Sequence, residues 1–208
     1  MKEKFFKNKS GFTIIETMIS ISVFLVVVLY GTNALLSANQ YSRHSEATRS
    51  LLDNLSFSME EMSRSLRTGS DFHCITDGNT VATSALSCPS GGLNSEKGIS
   101  FMPSSGGSRW VYYLRANADG SLFLEKSTDG GNTFVPLTTS EIKINPSSNF
   151  FVVGAEPPPP PPPPSISGDL NQPFVKIWLT GTIKEKNTDT PFSLQTSVSQ
   201  RIPDLNTP

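Results

Sequence analysis

The sequence predicts an α+β fold, in which a long N-terminal transmembrane helix packs by its C-terminal half on an antiparallel β-sheet. Three observations predict it. No charged residue occurs between Thr17 and Ser42. Beyond that stretch Leu52, Leu55, Met59, Met62 and Leu66 recur at alternating spacings of three and four, an apolar stripe on one helical face. After Gly69 the pattern changes to short runs of β-branched and aromatic residues separated by turn residues. A helix followed by such strands gives an α+β order in which the sheet covers the stripe.

The 208 residues suffice for one domain plus an anchor, and 17 Lys and Arg against 18 Asp and Glu leave a net charge of −1. This balance excludes a general attraction to nucleic acid or to anionic membrane surfaces.

The first element, residues 1–11, carries four lysines against one glutamate, and Phe12-Thr13-Ile14-Ile15-Glu16 follows at once. A basic flank ahead of an apolar run stays cytoplasmic, so a span over residues 12–36 is oriented with its N-terminus inside. About 20 helical residues cross the ~30 Å hydrocarbon layer. A cleaved secretory signal, a plain signal anchor and a more specialised segment all begin this way. Glu16 separates them, because an ionisable side chain in the membrane costs about 2.5–3.5 kcal/mol on insertion scales and a secretory apolar region has no use for one. Leu36-Ser37-Ala38 fits the small-residue cleavage rule only in part.

Gly11-Phe12-Thr13-Ile14-Ile15-Glu16 after a short lysine-rich leader resembles the class III signal of type IV pilins and type II secretion pseudopilins. The resemblance implies that prepilin peptidase cuts between Gly11 and Phe12 and that Phe12 becomes N-methylated. It implies that Glu16 pairs with the terminal amine of a neighbouring subunit, although Glu16 also complements the dipole of its own helix. Other pilin or pseudopilin subunits, an inner-membrane assembly platform and membrane lipid are the implied partners. The implied location is the bacterial inner membrane, single-pass with the C-terminal domain outside, and then a filament at the periplasm or cell surface. Glycine at position 11 suits cleavage in its own right, since a residue without a side chain is easily held extended in a protease cleft.

Residues 37–68 extend the helix. Glu60 and Arg64 lie at the favourable four-residue spacing, Arg67 complements the C-terminal dipole and Gly69 is the expected stop. From Phe12 the helix would run ~55 residues, roughly 80 Å. The apolar face fades on the N-terminal side of Leu52 into Ala, Ser and Thr, which favours packing on a sheet over a coiled coil.

Residues 69–208 form the β-rich domain. The expected strands are Ile99–Met102, Trp110–Leu114, Leu122–Lys126, Glu141–Ile144, Phe150–Val153, Phe174–Ile183 and Phe192–Gln200, with tight turns at Asp119-Gly120 and Asp129-Gly130. Loose phrasing in these strands is similar to larger minor pilins and to the J subunit of the secretion pseudopilus, which favours a minor subunit. Ser127 to Phe134 resembles the Asp-box of sialidase propellers, but a single copy reads as a hairpin turn bonded through the Asp129 side chain. Pro157 to Pro164 is a proline run expected to form a stiff rod of roughly 25 Å inserted between strands. It reads either as a spacer or as a ligand for a proline-recognition groove.

Cys74 and Cys88 read as a local disulfide if the domain faces an oxidising compartment, and as two free thiols otherwise. Export by the N-terminal segment favours the disulfide, and a loop of this length would stabilise by roughly 3 kcal/mol. His73 and His44 are too few and too far apart for a zinc site, and no dense set of oxygen ligands suggests calcium. No nucleophile and base pair or phosphate-binding loop emerges, so neither an enzyme nor a cofactor is expected.

Overall fold

The helix α1 (Ile14–Thr68) spans 55 residues. The computed structural model describes residues 11–76, 84–88, 97–156, 172–185 and 188–201; the leader before Gly11 and the proline run 157–164 lie outside the described residues. The chain divides into two compact units, Met1–Glu46 and Ala47–Pro208.

The first unit holds the N-terminal part of α1. The helix begins two residues later than the sequence suggested, because Thr13 stays outside it as the cap. Its apolar side chains from Ile14 to Leu36 are exposed, and an 18-residue window reaches a mean hydropathy of 2.2 with none of it buried in the protein. Side-chain hydroxyls in this stretch turn back onto the helix. Thr17, Ser20, Ser22 and Thr32 each donate to a carbonyl three or four residues earlier, at 2.7–3.0 Å. Bonded this way, they present no unsatisfied donor to lipid.

In the second unit α1 buries Leu55, Ser58, Met59, Met62 and Leu66, while Leu52 packs half-buried at the core's margin. Glu60 and Arg64 pair across one turn at 2.9 Å. Gly69 follows the helix and admits no side chain: a β-carbon there would collide with the Phe101 ring. The left-handed turn comes two residues later, at Asp71 with φ 53°. An aspartate tolerates that conformation, and Arg109 holds it by donating to both the Asp71 carboxylate and the Asp71 carbonyl.

Among the described residues nine strands follow: β1 (Ser70–Ile75), β2 (Gly98–Met102), β3 (Trp110–Ala116), β4 (Leu122–Ser127), β5 (Val135–Pro136), β6 (Ile142–Ile144), β7 (Asn149–Val153), β8 (Phe174–Glu185) and β9 (Thr188–Ser199). All named pairings are antiparallel. Seven of them overlap the expected strands; β1 and β5 do not, and β9 starts at Thr188 rather than Phe192.

The sheet runs β1-β2-β3-β4-β6-β8, with β7 and β9 also on β8. One edge of β8 carries β9 along its whole length; the other carries β7 at Phe174–Trp178 and β6 at Gly181–Ile183. Ser148 fills the gap between those two partners. Its buried hydroxyl accepts from Thr180 N at 2.9 Å and donates to Thr180 O at 3.1 Å, replacing the missing rung.

The far end of the sheet curls back to this edge. Leu86 bonds to Phe72 and Cys74 of β1, and Cys88 bonds to Val152 of β7, so residues 84–88 bridge the two strands. Cys74 and Cys88 are joined by a disulfide, their Cα atoms 5.9 Å apart. Inside the curl, Phe72, Phe101, Tyr112, Leu124, Phe150 and Ile177 meet the α1 stripe in one core.

The tight turns are where the Asp-Gly pairs place them, with Gly120 and Gly130 both at φ 80°. Asp129 organises the second turn: its carboxylate accepts from Asn132 N, Thr133 N, Thr133 Oγ1 and Ser127 Oγ at 2.6–3.0 Å.

Candidate processing and assembly site

The chain enters α1 through Gly11, Phe12 and Thr13, none of them helical. Thr13 is the N-cap: its hydroxyl accepts from Glu16 N at 3.3 Å and its carbonyl from Thr17 N at 3.2 Å. Thr13-Ile14-Ile15-Glu16 thus has the spacing of a capping box, with glutamate as the third residue of the helix. A carboxylate in a first turn is favoured by the helix dipole whatever else it does. The Thr-x-x-Glu pattern is a local sequence signal for this cap, which the sequence reading of Glu16 as a membrane charge does not include.

Gly11 has open space around it: a β-carbon there would meet no atom within 4 Å, and its φ is not in the left-handed region. Among the described residues nothing requires glycine at that position. The bond that follows Gly11 is not helical, and Phe12 is 81 % exposed. Glu16 is likewise exposed.

Residues 6–31 match the family described as the prokaryotic N-terminal methylation motif. The chain carries a type IV pilin-like class III signal. Such a motif implies processing by prepilin peptidase and assembly with other pilins, and the apolar α1 suits membrane anchoring of a prepilin. No curated protein and no solved structure shows a match to the chain.

Cys74 and Cys88 belong to the other unit, where both are buried and bonded to each other. His73 Nδ1 lies 2.6 Å from Ser84 O, a contact that helps fix the bridging segment. Among the described residues no group of three or more His, Cys, Asp and Glu side chains is placed to hold a metal ion.

Proposed function

We propose that the chain is a minor pilin or pseudopilin, a structural subunit that prepilin peptidase cuts between Gly11 and Phe12. Phe12 then becomes the N-methylated terminus, and the subunit joins a type IV pilus or a type II secretion-like filament. The observation that carries this reading is the methylation motif at the head of an apolar helix whose side chains stand exposed among the described residues. Such a helix is stable only in lipid or among other apolar helices. Cleavage leaves an amine at Phe12, and Glu16 supplies the opposite charge to a neighbouring subunit's terminus.

Mass spectrometry of the mature N-terminus tests the first step. Methylated Phe12 is expected; an intact Met1 or a cut near Ala38 sinks the proposal. Glu16→Ala tests the second, because incorporation into filaments should fail while membrane anchoring survives. If the unaltered protein is anchored but absent from filaments, and Glu16→Ala leaves that anchoring unchanged, the protein is instead an anchored adhesin-like module.

A further inference from the structure

β7, β8 and β9 turn one face to the core and the other outward. Ile177 and Leu179 are fully buried, so Trp178 between them points out, and it is 36 % exposed. In register, Trp178 stands opposite Asn149 on β7 and opposite Gln195 on β9. An indole is thereby flanked on both sides by primary amides, and its N–H donates to Ser193 Oγ at 3.4 Å. Phe151 and Phe174 share the outward face, both half-buried. From Phe174 to Thr182, Lys176 is the one charged side chain that the described residues of these strands turn outward, and its ammonium sits 5.5 Å over the Phe151 ring.

The charge pattern restricts the occupant. A polyanion needs several cations to neutralise it, and here the one ammonium already faces an aromatic ring. The outward positions of β9 from Pro191 to Ser199 include Ser193, Gln195, Ser197 and Ser199, all exposed. Serine is depleted at protein interfaces, so this row does not resemble one. An exposed strand face also suits a polymer chain better than a small molecule, which needs a cleft.

A sugar ring fits what remains. Its C–H face is apolar and matches an aromatic plane, while its hydroxyl rim needs groups that both donate and accept, as amides do. We propose that the outward face of β7–β8–β9 binds an uncharged polysaccharide, with one sugar ring stacked on Trp178 and its hydroxyls bonded by Asn149 and Gln195. This binding does not depend on incorporation into a filament.

The test uses the full-length processed protein in detergent micelles on a printed array of neutral and anionic glycans, followed by titration with the best neutral oligosaccharide. Binding to neutral glycans is expected. Trp178→Ala should weaken it by roughly tenfold or more, with Trp178→Phe retaining part of the affinity. The double variant Asn149→Ala/Gln195→Ala should weaken it severalfold, which keeps the test alive if Trp178→Ala unfolds. No neutral glycan bound, a preference for anionic glycans, or binding untouched by both variants would overturn the proposal. So would self-association through this face that Trp178→Ala abolishes while no glycan binds.

Discussion

Cys88 exchanges backbone hydrogen bonds with Val152 of β7, at 2.8 and 3.4 Å, while its sulfur is bonded to Cys74 of β1. The disulfide therefore fastens the segment that bridges the two ends of the curled sheet. Ser87 adds a second fastening: its N–H donates to Glu156 at 2.8 Å and its hydroxyl bonds both Glu156 and Ala155 N. Reduction, or Cys74→Ser with Cys88→Ser, should cost about 3 kcal/mol by the loop it opens. Hydrogen exchange locates the effect. Protection should fall first at Cys88, Leu86 and Val152, ahead of β3 and β4; uniform loss across the sheet would show that the bridge has no separate role.

A separate fastening joins α1 to the sheet. Lys126 of β4 donates to Glu61 of α1, with its ammonium 4.2 Å over the Trp110 ring and 5.7 Å from the Tyr112 ring. Lys126→Met keeps much of the packing but leaves Glu61 without its cation and Trp110 without its charge. The expected loss is about 1–3 kcal/mol in chemical denaturation, and more than is seen for Arg64→Met, whose pair with Glu60 is exposed.

Tyr112 gives the same contact a pH signature. Burial pushes its hydroxyl up from 10.0 to about 12, opposed in part by Ser65 and reinforced by the Glu61 charge. The folded value lies above the unfolded one, so the associated stability is intact below pH 10 and is lost as pH rises from 10 to about 12. Phenolate absorbance should show Tyr112 ionising last and together with unfolding. Tyr112→Phe should flatten the fall in stability across that window.

The long helix, seven of the strands and the Asp129 turn were legible because each rests on a local pattern of spacing or turn chemistry. The missed elements lack one. In β1 the alternation is hidden by the Asp71 kink, and β5 is two residues with Pro136, a residue that normally argues against a strand. Residues 84–88 contain no β-branched side chain and are ordered by bonds to β1 on one side and β7 on the other. The processing motif could be read because its parts lie within six residues of chain, Gly11 to Glu16. Asn149, Trp178 and Gln195 come together only through the register of three strands, which no local pattern reveals.

Asp129 is held well below the usual carboxylate range, first by the Thr133 hydroxyl and backbone N–H, then by Ser127 and Asn132. A depressed folded value means that the turn is stabilised above the ordinary value of 3.8 and loses that contribution as pH falls below it. Amide shifts of Asn132 and Thr133 should therefore move together in acid. Asp129→Asn should remove that acid transition and weaken protection of both amides at neutral pH, since an amide cannot accept from all four donors at once.

Ser148 links the fold to the outward face. Its hydroxyl completes the ladder where β8 passes from β7 to β6, and the next residue is Asn149, in register with Trp178. Ser148→Ala would leave the part-buried N–H of Thr180 without its acceptor, which costs about 1 kcal/mol. Cysteine would restore the volume but bond weakly, whereas alanine removes the bond entirely, so the three should rank Ser, Cys, Ala in stability by denaturant titration. Protection of Thr180 N should fall in the same order. Because the splice also sets where β7 starts, Ser148→Ala should loosen Asn149 more than Gln195, whose strand pairs with β8 on the opposite edge. Equal loosening of both would show that Ser148 acts on the sheet as a whole and not on the register of β7.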